Sequence, residues 1–361
     1  MDRRKQSARQ SADAGGWPLC QIDPMQRAIV KVIGAFTALA MTSAEAVAQR
    51  NATDWDPSAR AFDQRPAGSG GSGTSATRNN TLDALDKILS SSKLSALDRS
   101  LYLGIRAYQL SRLGREADSR KDIDEMGKVL PSGWQMVLSS TLPELAGDGD
   151  RAAALRTLDH ALLNKPGDPW LAIAQAQVYM QIADFQRALG LLDGALAGVT
   201  AEADRRTALF LRGHANFDLG RYAKAAGDFE ASLDGRTTLK ARLSPLLWRY
   251  AAQVRAHTPG KGDARATLGR ELGKEDLGEW PGPIAKFLLG KLSAGELEVA
   301  AETGEAAKRA NGKCPSAFFM GIDALRRGDR QRAREQLQLA QARCPTVSEF
   351  NWAAASELKR L

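Results

Sequence analysis

From about residue 81 onward, apolar residues recur every three or four positions, the spacing of helices with one buried face. The pattern itself repeats with a period of roughly 34 residues, which is the length of a helical hairpin. The sharpest unit begins at Arg206, where Leu209, Gly213, Gly220, Tyr222, Ala225 and Phe229 fall at positions 4, 8, 15, 17, 20 and 24. A unit from Pro169 places Ala176, Tyr179, Phe185, Ala188, Leu192 and Ala195 at 8, 11, 17, 20, 24 and 27. One from Cys314 places Gly321, Gly328, Ala333, Leu337, Ala340 and Pro345 at 8, 15, 20, 24, 27 and 32. Weaker units start near Ser100 (Leu103, Ala107, Gly114, Ile123, Pro131) and Gln135 (Leu138, Gly149, Ala154, Leu158, Ala161, Pro166). The first four starts are spaced 35, 34 and 37 residues, so the matches are in near-register. Val, Ile, Thr and Tyr never alternate over a strand's length, which leaves no material for a sheet.

Each position has a mechanical reason. Small residues at 8, 20 and 27 let two helices approach closely, Gly at 15 ends the first helix, and Pro at 32 stops the second. This arrangement resembles the tetratricopeptide repeat (TPR), and the resemblance implies an all-α solenoid of antiparallel helix pairs over residues 81–361. Register is lost between residues 238 and 313. There the spacing predicts a decayed hairpin, Ser244–His257 with Gly262–Leu272, then a turn at Trp280-Pro281-Gly282-Pro283. Two helices are predicted beyond it, Pro283–Leu292 and Ser293–Arg309, with Ser293 as N-cap. A final helix over 346–361 is expected to cap the stack, as a solenoid requires.

The C-terminal stretch carries a narrower likeness. Trp248-Arg249-Tyr250-Ala251-Ala252, Trp280-Pro281-Gly282-Pro283, Phe318-Phe319-Met320-Gly321, Arg327-Gly328-Asp329 and Ala355-Ser356-Glu357-Leu358-Lys359-Arg360-Leu361 resemble the tail of NlpI-like TPR proteins of α-proteobacteria. That family consists of envelope lipoproteins whose repeats dock peptidoglycan hydrolases and a processing protease. The resemblance therefore implies a scaffold with protein partners, possible envelope hydrolases or proteases among them. The family's lipid-bearing Cys has no counterpart here, so outer-membrane anchoring does not carry over.

The N-terminal stretch reads differently. Arg27 and Lys31, the apolar run Val32–Met41 and the small residues Ala46-Val47-Ala48 form a secretory signal peptide cleaved after Ala48. The run is too short for a membrane span. Met25 is the expected start, with residues 1–24 an over-extension. Residues 49–80 contain Pro66-Ala67-Gly68-Ser69-Gly70-Gly71-Ser72-Gly73, which reads as a flexible linker. Its literal G-x-G-x-x-G (Gly68, Gly70, Gly73) follows no strand and opens no helix, so it is not a nucleotide loop. The reading is a periplasmic or secreted chain.

Composition and charge narrow the function. The net charge of +8 is spread among acids rather than gathered in a stripe, which argues against a nucleic-acid partner. The three histidines, His160, His214 and His257, have no His or Cys at ligand spacing, and no nucleophile or phosphate-loop motif occurs. We therefore expect no cofactor, no metal and no catalysis. Cys314 and Cys344 fall at positions 1 and 31 of one hairpin, at the same end of two antiparallel helices. In an oxidising compartment these two should form a disulfide.

In TPR stacks the first helix lines the concave face at positions 2, 5, 9, 12 and 13. The resemblance thus implies a groove of Trp170, Ile173, Gln177, Met180 and Gln181 from one unit. Thr207, Phe210, His214, Phe217 and Asp218 would come from the next. Such a surface suits a partner helix or extended peptide. The Lys/Asn clamp that other TPRs use for a terminal carboxylate is absent from these positions. A scaffold or adaptor in envelope assembly or turnover is the leading reading. A transient chaperone-like factor for export of surface proteins or polysaccharide is the alternative.

Overall fold

The computed structural model describes residues 75–147, 149–256, 263–303 and 312–361. The expected leader and most of the linker lie outside these. Among the described residues every regular element is a helix. We number them α1 (Ser75–Leu89), α2 (Ala96–Arg112), α3 (Glu116–Val129), α4 (Trp134–Gly147), α5 (Arg151–Asn164), α6 (Pro169–Gln181), α7 (Phe185–Gly198) and α8 (Glu202–Asp218). There follow α9 (Tyr222–Ala231), α10 (Leu239–Ala256), α11 (Ala264–Leu272), α12 (Gly282–Leu288), α13 (Ala294–Glu302), α14 (Lys313–Arg326), α15 (Arg330–Arg343) and α16 (Glu349–Leu358). Helices α2/α3, α4/α5, α6/α7, α8/α9 and α14/α15 are the five hairpins read from the sequence, and α10/α11 is the decayed one. Each packs on the next, which makes the chain a TPR-like helical-hairpin solenoid.

Local chemistry sets the helix ends. Asp150, Asp168, Asp184 and Asp329 cap α5, α6, α7 and α15 by accepting from first-turn amides, and Pro169 follows Asp168 where its missing N–H costs nothing. Ser293 caps α13 in a capping box with Glu296, as expected. At position 15 Gly114, Gly220 and Gly328 take φ of 72°, 74° and 78°. The equivalent residue between α6 and α7 is Ala183, held at φ 60°.

Several boundaries differ from the sequence reading, among them the last helix, expected over 346–361 and found over Glu349–Leu358. Helix α1 starts at Ser75, not Thr81. Helix α10 starts at Leu239 and carries Pro245 in its interior, because burial of the Leu243–Ala252 stretch outweighs the one lost backbone bond. Helix α12 ends at Leu288, where Gly290 at φ 75° turns the chain. Helix α13 ends at Glu302, and residues 304–311 of the expected longer helix lie outside the described set.

A second periodicity ties neighbouring hairpins together. Position 7 is Arg106, Gln175 and Arg212 in three units. Arg106 in α2 reaches back to Asp86 of α1 at 2.5 Å and forward to Asp122 of α3 at 2.7 Å. Arg212 in α8 does the same with Asp193 of α7 (2.9 Å) and Asp228 of α9 (2.6 Å). Gln175 reaches Asp159 of α5 at 2.6 Å. Arg249 of α10, itself buried, bridges Glu230 of α9 (2.6 Å) and Glu271 of α11 (3.3 Å). The planar five-donor guanidinium suits a three-helix junction of this kind.

Candidate protein-binding groove

Of the expected groove residues, four are half-buried and five are buried. Trp170 sits in the first turn of α6, half-buried and outside the hydrophobic clusters. Gln177 is half-buried, and Gln181 donates from Nε2 to the Pro143 carbonyl of α4 at 2.8 Å. Phe210 is half-buried, its ring edge-on to His214 (4.6 Å) and Phe229 (5.6 Å). Thr207, one turn before it, is exposed.

Ile173, Met180, His214, Phe217 and Asp218 are buried against the chain's own helices, so the expectation of an open groove is corrected at these five. Ile173 and Met180 join Phe185 and Ala188 in a cluster against which Trp352 of α16 packs. His214 and Phe217 enter an aromatic core around Trp248, whose ring centroid lies 4.4 Å from His214, 5.6 Å from Phe217, 5.0 Å from Phe318 and 5.1 Å from Phe350. His214 and Phe217 meet the indole edge to face and Phe350 stacks on it, and aromatic pairs of both kinds add to the area they bury. Neither imidazole nitrogen of His214 has a hydrogen-bond partner among the described residues, and burial pushes its pKa down to about 3. It is a neutral core residue, not a contact residue or a base.

The physical reason is that α9, α10 and α14 close over His214 and Phe217, while Trp352 packs on the cluster of Ile173 and Met180 and Arg360 reaches Asp218. The C-terminal segment 347–360, which contains α16, thus reaches the end of α4, the start of α7 and the end of α8. At its start, a Cβ on Gly147 of α4 would lie 3.8 Å from Val347. Trp352 then meets Phe185 at 6.4 Å, and the Trp352 Nε1 donates to the Thr346 carbonyl at 2.8 Å. At its far end Glu357, fully buried, accepts from Tyr222 Oη at 2.6 Å and pairs with Arg255 at 2.5 Å and Arg360 at 3.2 Å. Arg360 also donates to the Asp218 carbonyl, and both arginines stand over the Tyr222 ring. Burial and the Glu357 carboxylate raise the Tyr222 phenol to about 12, so it stays a donor. Burial likewise lifts the Asp218 carboxyl to about 8, opposed only in part by Ser356 and Arg360.

Sequence reasoning missed this latch. Tyr222 reads only as the position-17 residue of its repeat, Arg255, Glu357 and Arg360 read as ordinary charged residues of their segments, and nothing local joins residues 135 apart. A buried Glu near the end of the chain has no periodic signature.

The Cys314–Cys344 disulfide is present, with Cα atoms 4.9 Å apart, and it ties the start of α14 to the end of α15. The Asn351 side chain of α16 donates to the Cys344 carbonyl at 3.2 Å and to the Gln341 carbonyl at 3.0 Å. The covalent clamp therefore also fixes where α16 departs. No helix among the described residues is long and apolar enough to cross a membrane.

Comparisons place the chain only broadly. No family model matches it. Over 169 residues it is 29% identical to cellulose synthase operon protein C of Xanthomonas axonopodis pv. citri (strain 306), covering 45% of this chain and 10% of that protein. The chain thus spans about a tenth of that relative's length. A crystal structure of a tetratricopeptide repeat protein from Parabacteroides merdae ATCC 43184 overlays at a TM-score of 0.37 and 17% identity, covering 71% of this chain and 99% of the other.

Proposed function

We propose that this protein is a non-catalytic, exported scaffold or adaptor of the cell envelope that binds partner proteins through the inner face of its solenoid. The observation that carries the reading is that Trp170, Gln177 and Phe210, from the first helices of two successive hairpins, stay only half-buried, and Trp170 joins none of the hydrophobic clusters. Large, partly exposed aromatic side chains with few rotamers are the residues that most often anchor a protein interface. The disulfide supports an oxidising compartment, in agreement with the leader read from the sequence. The NlpI-like affiliation of the C-terminal part, with envelope hydrolases or proteases as partners, belongs to this proposal.

The alternative is a transient accessory factor for export of surface protein or polysaccharide. The relative whose name places it in a cellulose synthase operon favours its polysaccharide branch. The two readings separate by affinity capture from the periplasm after in-cell crosslinking, comparing wild type with Trp170→Ala/Phe210→Ala. Truncating an anchor aromatic typically costs about 2 kcal/mol of binding, or roughly thirtyfold in affinity. One or two stoichiometric envelope proteins lost with the variant support the adaptor. Many weak clients support the accessory factor. Identical capture by both chains contradicts the inner-face assignment.

A further inference from the structure

Ion pairs join the helices of this chain in two different proportions. At three junctions one arginine meets two carboxylates: Arg106 with Asp86 and Asp122, Arg212 with Asp193 and Asp228, and Arg249 with Glu230 and Glu271. Where α11 and α14 pack on α10 the proportion is inverted. Asp323 of α14, only 4% exposed, is shared by three guanidiniums: Arg326 Nε at 2.9 Å, Arg327 Nε at 3.1 Å and Arg265 Nη2 of α11 at 3.5 Å. We propose that Arg265, Arg326, Arg327 and the Tyr250 hydroxyl form a binding site for a phosphate group, carried by a small molecule or by a lipid headgroup. This goes beyond the protein-binding reading, and Trp170, Gln177 and Phe210 take no part in it.

Three observations carry it. First, three cations on one carboxylate leave a surplus of positive charge. The other acid within reach, Asp263, is exposed and already caps α11 by accepting from the Arg265 amide at 3.0 Å. Guanidiniums crowded onto one carboxylate repel one another, and a phosphate dianion relieves that repulsion more fully than a carboxylate does. Second, donors stand idle. Arg326 and Arg327 spend only Nε, and their terminal nitrogens make no hydrogen bond among the described residues. Arg265 Nε is buried and also lacks a partner among them. The guanidinium fork matches phosphate oxygens, so these are the donors such a group requires. Third, Tyr250 of α10 is 1% exposed, and its buried hydroxyl has no hydrogen-bond partner among the described residues. A buried phenol left so is exceptional. It lies within electrostatic reach of Asp323, Arg326 and Arg265, which places it in the same cluster. Burial, with Asp323 nearby, pushes it up to about 12, so it stays protonated and can donate to an oxyanion.

The test uses the full chain with inorganic phosphate as the probe, read by titration calorimetry and by thermal melting against chloride of equal ionic strength. Wild type should take up one phosphate per chain with a Kd of about 1 mM or below, and melt at a higher temperature in its presence. Arg326→Gln/Arg327→Gln leaves Arg265 on Asp323 and should weaken uptake by about tenfold or more. Tyr250→Phe keeps the ring in the core; it should weaken uptake by roughly threefold to tenfold while melting like wild type in chloride. Arg332→Gln, whose partner is Glu335, should bind phosphate as wild type does. A second probe, phosphatidylcholine vesicles with and without phosphatidic acid, identifies the carrier. Retention on the phosphatidic acid vesicles that the double variant loses assigns the site to a lipid headgroup. Uptake of free phosphate without retention assigns it to a small molecule. Saturable binding of neither probe, phosphate uptake unchanged in either variant, or acetate held as tightly as phosphate overturns the site. Should the double variant lose its cooperative melt, Arg327→Gln alone, at a side chain 54% exposed, decides together with Tyr250→Phe.

Discussion

At the scale of single residues, backbone geometry and buried titration give the sharpest expectations. Ala183 holds at φ 60° a place that Gly114, Gly220 and Gly328 hold elsewhere. Ala183→Gly should therefore raise stability by about 1 kcal/mol in chemical denaturation, because only the Cβ clash is removed. Gly213 is the opposite case: an added Cβ would stand 2.7 Å from the Phe229 ring, which is itself boxed in. Gly213→Ala should cost about 1–3 kcal/mol by overpacking. His214 and Asp218 give a pH signature. The His214 pKa is depressed from 6.5 to about 3, so its contribution is present above pH 6.5 and falls as the pH drops below that. The Asp218 pKa is raised from 3.8 to about 8, so its contribution is full below pH 3.8 and is lost as pH rises toward 8. Between those limits the two slopes, each about 1.4 kcal/mol per pH unit for one proton, oppose one another below 6.5 and leave Asp218 alone above it. Melting of Asp218→Asn should be flat from pH 6.5 to 8, where wild type declines, and should fall below pH 6.5, where wild type is level. The small residues of the hairpins were legible because sterics fixes them. The titration shifts were not, because they depend on a helix packed from far along the chain.

At the scale of the element, the hairpins were legible and their coupling was not. Position 8 glycine against the large residue at 24 is seen directly in Gly213 with Phe229 and Gly321 with Leu337. The position 7 junctions were present in the sequence as Arg106…Asp122 and Arg212…Asp228, each sixteen apart, but they read as surface charge until the neighbouring helix closed over them. Arg212→Ala leaves the nearly buried Asp228 with only Asn216, and should destabilise by about 2 kcal/mol. The paired change Arg212→Ala/Asp228→Ala should recover part of that loss, which a double-mutant cycle measures. The disulfide followed from hairpin geometry together with the oxidising compartment that the leader implies. Replacing Cys314 and Cys344 by Ser should cost roughly 2–4 kcal/mol for a loop of this length, and release α16 along with the hairpin. Comparing the exchange of residues 349–358 with that of 313–326 checks the coupling.

At the scale of the whole molecule, repeat arithmetic specified a solenoid but not its curl. An extended stack would leave Ile173, Met180, His214, Phe217 and Asp218 facing a groove. The curl instead brings α16 back onto α8, where Trp248, Phe318, Phe319 and Phe350 form one core with His214 and Phe217, while Trp352 packs on the separate cluster of Ile173 and Met180. The lost register between residues 238 and 313 is where the stack departs from regular stacking, and no periodic rule describes that stretch. The surface we propose for a partner narrows to the half-buried residues Trp170, Gln177, Gln181 and Phe210. The most direct test places a photocrosslinking amino acid at Trp170, or at Leu163, which is 71% exposed on α5. Both chains are irradiated in the living cell. Adducts to a discrete partner from position 170 and none from 163 are the predicted result. Adducts from 163 alone would put the binding surface elsewhere on the solenoid and contradict the account.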